Sequence, residues 1–264
     1  MAEASAVLEH VTSSDGTRIG YQRSGEGPPL VLVHGTTSAH WGFRFLAPAL
    51  VDRFSLYALD RRGRGESGDQ AEYAIEQEFE DVAAVVDSIH EPAALFGHSY
   101  GATVALGAAI VARNLHRLVL YEPAPGVSGV PSRDVERIED LVARDERDEA
   151  LVHAFRSFGL TPEELDQLRA SPTWSARVAA AHTVAREVRA EEAYRVDPER
   201  FRNVAIPALL LLGEESPDWA REGTERIRAV LPDARVAILR GQGHMAIMTA
   251  PELVAEEVAR FLSE

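Results

Sequence analysis

Apolar positions follow two different patterns along the chain. Near its start, "SAVLEHVT" and "TRIGYQRSG" alternate apolar and polar residues on either side of "SSDG". That pattern predicts an antiparallel hairpin with one buried face. From "PPLVLVHG" onward the strand-like runs become nearly continuous: "RFSLYALD", "EPAALFGHS", "LHRLVLYEP", "IPALLLLGEE" and "ARVAILRGQGH". Runs of this kind suit strands covered on both faces, as in a parallel sheet. Between them, apolar residues fall at helical spacing: briefly near 43–50, then in "EQEFEDVAAVVDSIH" and "YGATVALGAAIVARN", and again near 218–230 and 251–262. Alternating strands and helices predict an α/β fold, a mostly parallel sheet flanked by helices.

The pattern breaks between 126 and 202. Apolar strand runs vanish, and "PSRDVERIEDLVARDERDEALVHAF" and "TPEELDQLRA" begin with Ser or Thr beside Pro, a helix entry. This stretch reads as a helical insertion dividing a core built from 1–125 and 203–264, with hinges near 123–126 and 202–207.

Composition narrows the function classes. At 264 residues and 45% hydrophobic, the chain suits one α/β domain with an insertion. No apolar run approaches the roughly 18 residues that span a bilayer. "MAEASAVLEHV" lacks a basic segment followed by an apolar one, so no signal peptide is read and a cytoplasmic location is expected. Cysteine is absent, which removes disulfides and thiolate chemistry. Nine scattered histidines without H-E-x-x-H give no reason to expect a metal. A net charge of −15 argues against nucleic acid as partner. All 27 basic residues are arginine, which is read as coding bias.

The chemistry centres on "ALFGHSYGA", 94–102. A strand ending near Phe96 and a helix starting near Tyr100 force a sharp turn at Ser99. Gly97 and Gly101 leave room for it where bulkier side chains would clash. The turn lifts the Ser99 hydroxyl at the strand's carboxyl end, close to the free N–H groups of a helix start. A surface serine in a glycine-rich turn is the plainer alternative. "LVHGTTS" places a loop whose Thr36 N–H, with that of Tyr100, can form a two-donor oxyanion hole. "LDRRGRGES" reads as a turn shaping the loop opposite, with Asp60 structural. "GQGHMA" puts His244 after a late strand, where a base for Ser99 is needed in the order Ser, acid, His.

In order and approximate spacing these motifs resemble the α/β-hydrolase superfamily over essentially the whole chain. The resemblance implies an eight-stranded, mostly parallel sheet with a helical cap at 126–202, Ser99 as nucleophile and His244 as base. The family's commonest acid lies in a G-x-x-D turn, but here Gly213-Glu214-Glu215-Ser216 puts serine at that place. Glu122, after the strand "LVLY", resembles the acid of zearalenone lactone hydrolases and is the favoured candidate, with Asp218 the alternative. Asp218 reads equally as a helix cap. A serine at 99 argues against the epoxide hydrolysis and dehalogenation of other superfamily members, which use a carboxylate there. The expected reaction is hydrolysis of a hydrophobic small-molecule ester or lactone through an acyl-enzyme, without cofactor. Hydrolysis of a diketone C–C bond and cofactor-free perhydrolysis are the alternatives on the same site, and a non-catalytic ligand receptor is the alternative of another class. Trp41, Phe43, Phe155, Phe158 and Trp174 are candidates to line the substrate pocket, although aromatics at helical spacing serve equally as a cap's own core.

Overall fold

The computed structural model describes residues 6–123 and 132–264. Eight strands form one sheet: β1 Val7–Thr12, β2 Arg18–Ser24, β3 Pro29–Val33, β4 Ser55–Leu59, β5 Ala93–His98, β6 Leu115–Tyr121, β7 Ala208–Gly213 and β8 Ala234–Leu239. Their spatial order is β1-β2-β4-β3-β5-β6-β7-β8. β1 and β2 form the hairpin, and β2 runs antiparallel to β4. All remaining pairings are parallel, giving the mostly parallel sheet expected from the sequence. β3, β4, β5 and β7 are buried along their full length, because helices cover both faces.

On one face, helices Ile75–Ser88 and Tyr100–Val111 pack Phe79, Val82, Val104 and Leu106 against the sheet. On the other, Leu46, Leu50, Val254, Val258 and Phe261 meet Phe96 and Leu211. The helix expected near 43–50 is two short pieces, a 3₁₀ turn His40–Phe43 and a helix Ala47–Leu50. Pro48 explains the break: it lacks the N–H a continuous helix would need, yet fits the first turn of a new one.

Among the described residues, helices alone fill the stretch between β6 and β7: Ser132–Ala143, Arg147–Ser157, Pro162–Arg169, Trp174–Ala179, Val184–Ala193 and Pro198–Phe201. They bury a cluster of their own that includes Val135, Ile138, Leu151, Phe155 and Val184. Buried polar contacts tie this insertion to the core. Glu187 accepts from Arg61 at 2.6 Å and from Arg64, and Glu191 accepts from the Thr103 hydroxyl at 2.8 Å. Of the expected first hinge, only Pro123 lies within the described residues. Among those residues no helix is long and apolar enough to cross a membrane.

Candidate active site

Ser99 sits between β5 and the helix Tyr100–Val111 with φ 58° and ψ −128°, a left-handed conformation that costs a non-glycine residue energy. Its N–H donates to the Tyr121 carbonyl on the neighbouring strand at 2.9 Å, which holds the strained turn in place. The flanking glycines have a steric reason. A Cβ on Gly97 would lie 2.6 Å from Ala102 Cα, and one on Gly101 would lie 2.7 Å from the His34 carbonyl carbon. Both obstacles are backbone, so neither can rotate away.

Glu122 follows β6 directly, is fully buried and has φ 50°. Its Oε2 accepts from His244 Nδ1 at 2.5 Å. Its Oε1 accepts from the Gly213 N–H at 2.7 Å and from the Ser216 hydroxyl at 2.5 Å. The structure thus brings Glu122 and His244 together, and puts Ser216 beside the carboxylate as a donor. Asp218 is not part of this group. It is an exposed first-turn residue of the helix Asp218–Arg228, with Pro217 at the N-cap. There its charge faces the positive helix end, and among the described residues no hydrogen bond or ion pair links it to His244.

Three residues that the sequence reading had not singled out shape the His244 loop. Burial pushes the His98 imidazole down to about 3, so it is neutral, and its Nε2–H donates to the His244 carbonyl at 2.9 Å. The Tyr121 hydroxyl donates to the Gly243 carbonyl and accepts from the Ala246 N–H at 3.3 Å. Trp219 meets the His244 ring edge to face at 4.9 Å between centroids. Between Ser99 and His244 the structure records no hydrogen bond, and unliganded sites often leave such contacts open.

The loop after β3 passes directly over Ser99: a Cβ on Gly35 would lie 2.9 Å from Ser99 Cβ. His34 fixes this loop. The Arg61 N–H donates to His34 Nε2 at 3.2 Å, so Nδ1 carries the proton and donates to the Gly35 carbonyl at 2.8 Å. Burial, then the charges of Arg61 and Arg64, hold His34 well below its usual pKa, so it stays neutral. The amides of Thr36 and Tyr100 donate no hydrogen bond among the described residues. Asp60 is a loop organiser. It accepts from the His40 N–H at 2.8 Å, from His40 Nδ1 at 2.9 Å and from the Glu66 N–H at 3.0 Å. The hydrogen bond to Asp60 raises the pKa of His40 against the effect of burial.

The five aromatic pocket candidates separate. Phe43 is 1% exposed and packs edge-on against Phe96, so it is a core residue. Phe155, Phe158 and Trp174 pack on one another within the insertion, and Trp174 Nε1 donates to Asp148 at 2.7 Å. Their spacing marks that core rather than a binding surface. Trp41 is half-buried, and the Arg177 guanidinium of the insertion lies 4.6 Å from its ring centroid.

Comparison with known proteins agrees with this architecture. A family described as the alpha/beta hydrolase family matches residues 30–257. The N-formylmaleamate deformylase of Pseudomonas putida is 32% identical over 252 residues, covering 88% of each chain. The 2-(acetamidomethylene)succinate hydrolase of Mesorhizobium japonicum is 25% identical over 264 residues, covering 92% of this chain and 91% of its own. The crystal structure of an alpha/beta hydrolase from Sphaerobacter thermophilus has a TM-score of 0.84 at 36% identity, covering 96% of this chain and 100% of that one.

Proposed function

The chain belongs to the alpha/beta hydrolase family, and from that premise we propose that it is a serine hydrolase cleaving a small-molecule carboxylic ester or lactone through an acyl-enzyme. Ser99 attacks the carbonyl carbon while His244 Nε2 takes the hydroxyl proton. Glu122, hydrogen-bonded to Nδ1, keeps the ring's own proton on Nδ1, so that Nε2 is free to accept, and stabilises the imidazolium that forms. The amides of Thr36 and Tyr100 receive the oxyanion, a contribution often worth a few kcal/mol of barrier. The intermediate collapses as His244 protonates the leaving alkoxide, and water repeats the sequence to release the acid. The single observation that carries this reading is the Glu122–His244 bond at 2.5 Å beside the strained turn at Ser99.

Of the expected cap 126–202, the described residues 132–202 are proposed to cover this site, supported by the Arg177 Nη1 bond to Thr37 Oγ1 at 3.2 Å, one residue from Thr36. Trp41 offers an apolar wall for the body of the substrate. The names of the deformylase and the acetamidomethylene-succinate hydrolase favour a second reading, in which the same machinery cleaves a C–N acyl bond.

A fluorophosphonate, which phosphonylates activated serines, tests the assignment. Wild-type protein is expected to take one label at Ser99 and to hydrolyse p-nitrophenyl butyrate. Ser99→Ala is expected to take none and to keep less than about one-thousandth of wild-type kcat. A label elsewhere, or near-wild-type turnover by Ser99→Ala, overturns the reading. Wild-type protein that neither labels nor turns over any acyl substrate would point to a ligand receptor.

A further inference from the structure

The chain carries 42 acidic residues against 27 basic ones, and its buried arginines mostly have carboxylates. Arg61 pairs with Glu78 and Glu187 at 2.6 Å each, Arg62 with Asp81 at 2.7 Å and Asp15 at 3.1 Å, and Arg64 with Glu187. Arg177 breaks the pattern. It is 7% exposed, yet no Asp or Glu pairs with it among the described residues. Nη1 donates to the carbonyl and hydroxyl oxygens of Thr37, and Nε is buried without an acceptor. The charge that acts on it is another cation, Arg44, which is half-buried and also without a carboxylate among the described residues. Burial first, and then Arg44, lower the pKa of Arg177 to about 10, so it remains a cation near neutrality.

A buried guanidinium without a carboxylate is costly for a fold to keep. A structural strap between the insertion and the core needs only a donor for Thr37, which a neutral side chain supplies. The position is also specific. Thr37 adjoins Thr36, two residues beyond the Gly35 that covers Ser99, and Trp41 presents its ring to the guanidinium at 4.6 Å. A planar guanidinium over an indole ring, with its Nε–H lacking an acceptor, suits the two oxygens of a carboxylate.

We propose that Arg177 receives a free carboxylate of the substrate, so that the preferred substrates are acids carrying the scissile acyl bond rather than neutral esters. This rests on the reading of Ser99 as nucleophile for turnover, but not for binding. The anion completes the charge balance that the protein leaves open, and fixes the distance between the carboxylate and the carbonyl presented to Ser99.

Two arms test it. In the binding arm, Ser99→Ala protein is titrated calorimetrically with fumarate, with dimethyl fumarate and with inorganic phosphate at matched ionic strength. Fumarate is expected to bind at least about tenfold tighter than either, the scale of one charge-assisted hydrogen-bond pair. That preference should vanish on adding Arg177→Gln and return in part with Arg177→Lys. Equal binding of fumarate and the diester, equal binding of phosphate, or no fumarate binding up to about 10 mM overturns the proposal. In the turnover arm, wild type is expected to show at least about a tenfold higher kcat/KM for monomethyl than for dimethyl fumarate, and Arg177→Gln to collapse that ratio. A ratio that Arg177→Gln leaves unchanged, even if both rates fall, overturns it. The wild-type comparison needs no variant, so misfolding of Arg177→Gln does not shield the idea. Binding preference without any turnover would refute the Ser99 reading alone; turnover without a charge preference would refute this inference alone.

Discussion

Replacing Glu122 by Gln isolates the charge at the proposed triad from its shape. Oε1 of Glu122 accepts two donors, the Gly213 N–H at 2.7 Å and the Ser216 hydroxyl at 2.5 Å, while Oε2 faces His244 Nδ1 at 2.5 Å. A glutamine has one acceptor oxygen and one NH₂. Turning the NH₂ toward Gly213 and Ser216 would set it against the Gly213 N–H, which can only donate, so the amide oxygen stays at the Oε1 position. The NH₂ is then directed at His244 Nδ1, which can receive it only as an acceptor. The imidazole proton moves to Nε2, the nitrogen that has to take the proton of Ser99, and the base is lost through its tautomer rather than its position. That fault costs about 10⁴ in kcat in serine triads, or roughly 5.5 kcal/mol of barrier. Ser216→Ala is the control for orientation alone. It removes one donor to the carboxylate, a bond worth about 1.5–3 kcal/mol to the fold, but leaves Gly213 and the Nδ1 tautomer in place, so kcat should stay within about tenfold. The assay is kcat for p-nitrophenyl butyrate, with thermal melts to confirm that each variant folds. Glu122→Gln keeping more than about a tenth of wild-type kcat, or Asp218→Asn losing as much as Glu122→Gln, would refute the tautomer argument.

Gly101→Ala should lower the melting temperature by several degrees, because its methyl group meets the backbone of Val33 and His34, and overpacking of this kind costs about 1–3 kcal/mol. An unchanged melt would show that the turn can relax. Glu187→Ala strips a carboxylate from the fully buried Arg61 and Arg64 and should cost about 3–5 kcal/mol in urea unfolding; a loss below about 1 kcal/mol would mean that water or Glu78 takes its place. Burial, with a further push from the charge of Glu187, raises the Glu191 carboxyl to about 8 despite the Thr103 bond. The folded state therefore binds that proton more tightly than the unfolded chain, whose glutamate titrates near about 4.3, and the stability it contributes is full below that value. It is lost as pH rises toward 8, at up to about 1.4 kcal/mol per unit. Melts of Glu191→Gln should fall less than wild type between about pH 5.5 and 8, and parallel curves would refute the assignment.

The sheet was legible because burial on two faces leaves its mark in single runs: β3, β5 and β7 read as continuous apolar segments, and they are buried end to end. The turn at Ser99 was legible because two glycines are a steric demand written into neighbouring positions. Long-range pairing was not. Arg177 stands in "WSARVAA" like any solvent-facing arginine of an arginine-rich insertion, and its bonds to Thr37 span 140 positions. The same limit hid His98 and Tyr121, whose partners lie in the His244 loop. Phe43, Phe158 and Trp174 show the converse. Residue type left them as candidates for a pocket wall as much as for a core, and only the fold shows what they pack against.

Ser216 and Glu122 together explain how this chain departs from the commoner acid position and still builds a fixed partner for His244. A carboxylate at both positions would place two like charges within hydrogen-bonding distance, and one of them would have to stay protonated. With serine at 216, the loop after β7 supplies a donor, and the end of β6 supplies the carboxylate that His244 meets. Glu122 holds a left-handed backbone, φ 50°, which a non-glycine residue keeps only where its surroundings impose it. The surroundings do: its N–H donates to the Leu211 carbonyl at 3.2 Å, and both of its carboxylate oxygens are engaged. A carboxylate fixed at backbone and head group has little room to reorient when the imidazole beside it gains a proton. Electrostatic stabilisation of the resulting charge depends on that absence of reorganisation more than on the strength of any one bond.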